Sequence, residues 1–179
     1  SDSVRVMFIN NAKAFDHVDH STLVRRLYTF NVPHFLIRWL CSFLIKRMQR
    51  VKLSEYFSEW LTLKGSMPQG TWLGPLVFIL LINDLSSDCS MHKFVDDVTL
   101  SEVIKKHDNS NMSAYLYNVI EWSDRNRMNI NVDVAKTKEM LIGKVNKEPP
   151  PNIFVCSIVI ERVSSFKLLG IHIDNNLKG

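Results

Sequence analysis

Two successive aspartates, Asp96 and Asp97, are the residues of this sequence best suited to chemistry. Neighbours on a flat strand point to opposite faces, so both carboxylates address one space only where the chain turns tightly. Negative charge held that close is unfavourable unless a cation neutralises it, and hard oxygen donors of this kind suit Mg²⁺. Aspartate is also ordinary turn composition, because its side chain hydrogen-bonds nearby backbone. On the dipeptide alone that plainer reading prevails. A second candidate feature is basic: Arg38, Lys46, Arg47, Arg50 and Lys52 cluster in one stretch. They could neutralise nucleic-acid phosphates, and a charged solvent face explains them equally well. Cys41, Cys89 and Cys156 are odd in number and far apart, and with the 6 scattered histidines they form no ligand pattern. That excludes a disulfide framework and assigns no zinc; thiols in a reducing compartment fit better.

The acidic pair needs strands on either side to position it. His92-Lys93-Phe94-Val95 and Val98-Thr99-Leu100 predict a hairpin with Asp96-Asp97 joining its arms. Residues 4–9 are β-branched and apolar at nearly every position, the pattern of a central strand covered on both faces. Ser21 can cap a helix carrying Leu23, Val24, Leu27 and Tyr28, and Pro33 suits the first turn of a second with Leu36, Ile37, Leu40, Phe43 and Leu44. Residues 49–53 and 60–63, around polar Ser54 and Glu55, predict another hairpin; 65–70 read as loop and 72–85 as a buried helix. Met112, Leu116, Val119, Ile120 and Trp122 recur at helical spacing, and 140–142, 153–155, 158–160 and 166–173 read as short strands. The sum is an α+β fold, a sheet with helices packed on one side, forming a single domain over residues 1–179.

With 46% hydrophobic and 22% charged residues, the chain can bury one sizeable core. A formal charge of +4 is only a mild sign of polyanion affinity. The longest apolar run, 72–82, is shorter than the roughly 20 residues needed to cross a bilayer. No secretory leader pattern precedes the first strand, and the start at Ser1 predicts a piece of a longer polypeptide.

Three blocks decide between the readings of the acidic pair. Asn10-Asn11-Ala12-Lys13-Ala14-Phe15-Asp16-His17-Val18-Asp19-His20, Met67-Pro68-Gln69-Gly70-Thr71-Trp72-Leu73-Gly74-Pro75-Leu76 and Phe94-Val95-Asp96-Asp97 resemble, in order and spacing, the first three palm motifs of non-LTR retrotransposon reverse transcriptases. Ile82-Asn83-Asp84-Leu85, the stretch from Trp122 to Asn131, Lys136-Thr137-Lys138-Glu139-Met140 and Phe166-Lys167-Leu168-Leu169-Gly170-Ile171 look like that family's later segments. The resemblance covers essentially the whole chain. It implies a palm-type antiparallel sheet with helices on one side, partial fingers and no thumb, and RNA-directed DNA polymerase activity using two Mg²⁺ ions. The implied partners are an RNA template, a DNA primer and deoxynucleoside triphosphates, with no membrane. The implied location is intracellular, in the nucleus or a cytoplasmic ribonucleoprotein.

By the same resemblance, Asp96 and Asp97 are two of three metal-binding carboxylates. Phe15 crowds the sugar 2′ position, Gln69 and Gly70 contact the incoming nucleotide and template, Lys136 is a candidate acid for the pyrophosphate leaving group, and 166–171 is the primer-grip segment. Without the family context, Phe15 is core packing, Gln69-Gly70 a plain turn and Lys136 a solvated lysine. Two departures stand out. Asn10 occupies the position of the family's third aspartate and brings no charge, which predicts impaired catalysis. Ser66 stands where a glycine normally precedes the Pro-Gln-Gly loop, and Asn11 and Ala12 also depart from the usual residues. The alternative is a remnant that binds nucleic acid without catalysis.

Overall fold

The computed structural model describes residues 2–10, 18–63, 65–68, 70–126, 136–143 and 149–176, apart from the side chain of Asn10. In chain order the elements are β1 (Ser3–Asn10), α1 (His20–Thr29), α2 (His34–Leu44), β2 (Met48–Gln49), β3 (Lys52–Leu53), β4 (Tyr56–Phe57), β5 (Leu61–Thr62) and α3 (Leu73–Ile82). There follow β6 (Ser90–Phe94), β7 (Asp97–Ile104), α4 (Met112–Arg125), β8 (Lys138–Ile142), β9 (Phe154–Val155), β10 (Ile158–Val159), β11 (Glu161–Arg162), β12 (Ser165–Leu168) and β13 (Ile171–Asp174). They fall into two compact units: Ser1–Ala12, Leu85–Arg125 and Ile130–Gly179 form one, and Lys13–Asp84 with Asn126–Asn129 the other.

The first unit is a five-stranded sheet in the order β11-β8-β1-β7-β6, antiparallel except where β11 runs beside β8. The predicted central strand is therefore central. Its alternation divides two apolar layers. Met7 and Ile9 join Val98, Leu100 and the α4 residues Met112, Leu116 and Val119 on one face. Val6 and Phe8 join Met140, Phe166, Leu168 and Ile173 on the other. A strand buried on both sides needs apolar residues at consecutive positions, which is what 6–9 supply. The chain is thus α+β with an antiparallel-rich sheet and α4 on one side, while the hairpin of β12 and β13 covers the opposite face. That hairpin turns at Leu169 and Gly170, both with positive φ, which matches the right-handed twist of its arms.

In the second unit α1 packs against α2 and α3. Leu23, Leu27, Ile37, Leu40, Leu44, Val77, Phe78, Leu81 and Ile82 are buried. Three expectations need correcting here. The cap of α1 is Asp19, whose carboxylate accepts from the backbone N–H of Ser21 and Thr22, so Ser21 itself lies inside the first turn. Helix α3 covers 73–82, shorter than predicted, and is covered along one side only: Trp72, Leu76 and Ile79 are exposed. The hairpin over 48–62 is interrupted, with β2 pairing β5 and β3 pairing β4 in separate short ladders. Ser54, at φ 51, lies in its tip.

Candidate functional site

The site begins with the hairpin of β6 and β7. Phe94 pairs with Asp97, so the turn between them is Val95-Asp96 and Asp97 is the first residue of β7. The acidic pair does not form the tip as a unit: one carboxylate belongs to the turn and the next to a strand. Val95 has φ 51. A β-branched residue in the left-handed region is strained by about 1–3 kcal/mol, and such strain persists only where surrounding pairing enforces it. Here the β6–β7 ladder enforces it and sets the direction of Asp96 relative to Asp97.

Strand β1 brings the third position to the same end of the sheet. Its register with β7 runs from Ser3 opposite Ile104 to Asn10 opposite Asp97. Positions paired across an antiparallel ladder share a face of the sheet. Strand β8 flanks β1 on its other side, with Phe8 opposite Lys138 as the last pair. Lys136 lies two residues beyond that pair, at the same end, in an exposed turn. Three neighbouring strands therefore deliver position 10, Asp97 and Lys136 to one end of the sheet, with Asp96 in the adjoining turn. On the face below, Phe8, Asp97, Thr99, Phe166 and Leu168 line a shallow depression, and the rings of Phe8 and Phe166 stack with centroids 4.1 Å apart.

The remaining predicted residues divide. Phe15 and Gln69 lie outside the described residues. Gly70 belongs to the second unit, is exposed at φ 74, and has no heavy atom within 4 Å of where a Cβ would stand. The positive φ favours glycine, and the open space beside it leaves room for a bound molecule's close approach. Ser66 has φ 79, a conformation natural to glycine. Its amide donates to Val18 O at 3.1 Å, and its own carbonyl lies 2.8 Å from the His20 imidazole. Thr71 Oγ1 donates to Pro68 O at 2.8 Å, bracing the loop.

Two arrangements were missed by sequence reasoning. The first is an ionic knot beneath the sheet. Arg5 is 1% exposed, and its Nε donates to Glu139, while its terminal nitrogens donate to Ser110 Oγ at 2.9 Å and Pro151 O at 2.8 Å. Arg162 Nε adds a second cation to Glu139 at 3.1 Å. Glu102 accepts from Ser110 Oγ and from the Asn111 N–H just before α4. Burial pushes the Arg5 guanidinium below its ordinary value, opposed by the charge of Glu139, and the side chain stays protonated. A lone charge within an apolar strand was the available signal. The second is a set of cations over aromatic rings on the 48–62 hairpin. At Asp19, burial acts to raise the carboxyl, but hydrogen bonds from Ser21 and Thr22 outweigh it and hold it below the usual value.

Among the described residues no three His, Cys, Asp or Glu side chains converge where they could hold a metal ion. The donor set at the sheet end is two carboxylates and, at position 10, an amide: hard oxygen chemistry suited to Mg²⁺ in type, with one negative charge fewer than three carboxylates supply.

The family described as reverse transcriptase (RNA-dependent DNA polymerase) matches residues 2–173. The chain is 26% identical over 181 residues to a probable RNA-directed DNA polymerase from transposon X-element of Drosophila melanogaster, an alignment covering 96% of this chain and 19% of that protein. It is 24% identical over 184 residues to a probable RNA-directed DNA polymerase from transposon BS of the same organism, covering 96% and 20%. The chain thus spans about a fifth of the length of these relatives.

Proposed function

Because this chain belongs to the reverse transcriptase family, of the kind carried by non-LTR retrotransposons, we propose that residues 1–179 form one RNA-directed DNA polymerase core whose chemistry is impaired by Asn10. The observation that carries the reading is the β1–β7 register, which pairs position 10 with Asp97 beside the Asp96 turn. Asp96 and Asp97 would hold Mg²⁺, with the Asn10 amide the weakest donor. Bound there, two ions would lower the barrier to attack of a primer 3′-hydroxyl on a deoxynucleoside triphosphate. The protein's share is positioning. The strained Val95-Asp96 turn fixes one carboxylate relative to the other, and the rigid central strand fixes position 10 against both.

Lys136, at the same end, is the candidate proton donor to departing pyrophosphate. Gly70 would let template or nucleotide approach the backbone, with Gln69 contacting the nucleotide and Phe15 excluding a 2′-hydroxyl. Phe166 and Leu168, which line the same depression as Asp97, would support the primer terminus. RNA template, DNA primer and deoxynucleotides are the substrates, in the nucleus or a cytoplasmic ribonucleoprotein.

Primer extension on an RNA template with Mg²⁺ tests this. The expected result is slow extension that Asn10→Asp raises by at least about a hundredfold and that Asp96→Asn or Asp97→Asn abolishes, as losing charged ligands from a metal site should. An unchanged rate in Asn10→Asp removes the claim of impairment. Full extension by Asp96→Asn with Asp97→Asn removes the site.

A further inference from the structure

The hairpin over residues 48–62 carries chemistry that the polymerase site does not use. The Arg50 guanidinium lies 3.9 Å from the Phe57 ring centroid and 4.5 Å from that of Trp60, and Lys52 Nζ lies 5.5 Å from the same Phe57 ring. Arg47 lies 4.6 Å over Phe43, whose ring stacks on Trp39. Trp60 is 53% and Tyr56 81% exposed, far more than packing aromatics. Among the described residues, none of Arg38, Lys46, Arg47, Arg50 and Lys52 forms an ion pair. Residues 38–64 hold six basic side chains (Arg38, Lys46, Arg47, Arg50, Lys52, Lys64) and two acidic ones (Glu55, Glu59), a surplus of four. That equals the +4 of the whole chain, so everything outside this stretch is balanced.

Unpaired cations alone would fit any polyanion. Aromatic rings exposed among them narrow the choice, because a single-stranded polynucleotide presents phosphates and free base faces in alternation, and a duplex hides the faces. A guanidinium already packed against two rings keeps its N–H edge free for phosphate and loses little freedom on binding. Tyr56 offers an open ring for a base.

We propose that this hairpin is a binding platform for a single-stranded polynucleotide, with Arg50 and Lys52 taking phosphates and Tyr56 stacking a base. That the strand serves as template rests on the function proposed above; that it binds does not. The test is fluorescence anisotropy of a labelled oligouridylate, the matching DNA strand and a duplex of equal length, with EDTA and no nucleotide, over a range of salt. Both single strands should bind, the duplex about tenfold more weakly, because the contacts are to phosphates and base faces. Arg50→Gln with Lys52→Gln should weaken binding about tenfold and flatten the slope of log affinity against log salt by roughly 1.4, or about 0.7 for each lost phosphate contact. Tyr56→Ala should weaken it about tenfold with the slope unchanged. Tyr56 is exposed, so this variant tests the platform even if the double variant unfolds the hairpin. Parental affinity in the Tyr56→Ala chain, or duplex binding as tight as single-strand binding, overturns the proposal. Because no metal or nucleotide is present, a chain that binds but never extends a primer would defeat the polymerase reading and leave this one standing.

Discussion

The two units handle charge in opposite ways. The sheet unit takes Arg5, Glu102 and Glu139 inside, at 1%, 9% and 0% exposure, and gives each a partner. The helical unit leaves Arg50 and Lys52 exposed and Arg47 half-buried, each against an aromatic ring. The first arrangement exchanges hydration for fixed geometry across β1, β7, β8 and the start of α4. The second keeps charge available to something else. A rigid floor for chemistry and an open surface for a polymer are different requirements, and two parts of one short chain meet them separately.

The largest effect that can break this contrast is removal of a buried partner. Glu139→Leu leaves the Arg5 guanidinium uncompensated and is expected to cost about 3–5 kcal/mol in urea unfolding, whereas Arg50→Gln should change stability by less than about 0.5 kcal/mol. Equal effects would erase the distinction. Truncation of apolar residues should separate the units similarly: Leu116→Ala, from the α4 layer, should cost about 2–5 kcal/mol. Leu53→Ala, at a position 75% exposed, should stay within about 0.5 kcal/mol.

Smaller effects sharpen the local picture. Asp19→Ala should cost about 1 kcal/mol by uncapping α1. Because Asp19 is held below its ordinary value of 3.8, its contribution is fully present above that pH and is lost as pH falls through the lower folded value. The stability gap between parent and Asp19→Ala should therefore close in acid; a gap that widens below pH 3.8 would contradict the cap. Ser66→Gly should gain up to about 1 kcal/mol, since φ 79 suits glycine and strains serine; a loss would mean that the Ser66 hydroxyl matters more than its backbone.

The sheet unit was largely legible in sequence because its strands announce themselves by β-branched and apolar runs. Its turn was not: aspartate's liking for turns placed the tip at Asp96-Asp97, while the pairing of Phe94 with Asp97 moves it one residue back. Cross-strand register outranks single-residue preference there. Arg5 escaped notice because apolar neighbours on both sides absorbed it into the strand pattern. Ser66 shows the reverse case, in which a departure from the expected glycine was visible but its backbone consequence needed φ. The contacts of Arg50 with Phe57 and Trp60 required a folded hairpin, since it is the pairing of β3 with β4 that folds these distant positions back on one another. Phe15 and Gln69 lie outside the described residues, so their part in the site stands on resemblance alone.

The position of β1 in the middle of the sheet bears on how this chain is made. Val4 pairs with Val103 on one side and Ile142 on the other, so β1 emerges well before either of its partners. At the roughly 5–20 residues per second of translation, an apolar segment waits several seconds with both edges open before residue 103 leaves the ribosome. Such a segment is a template for pairing between nascent chains. Yield of soluble protein should therefore depend more on chaperone supply and slow, cool expression than on the stability of the finished fold.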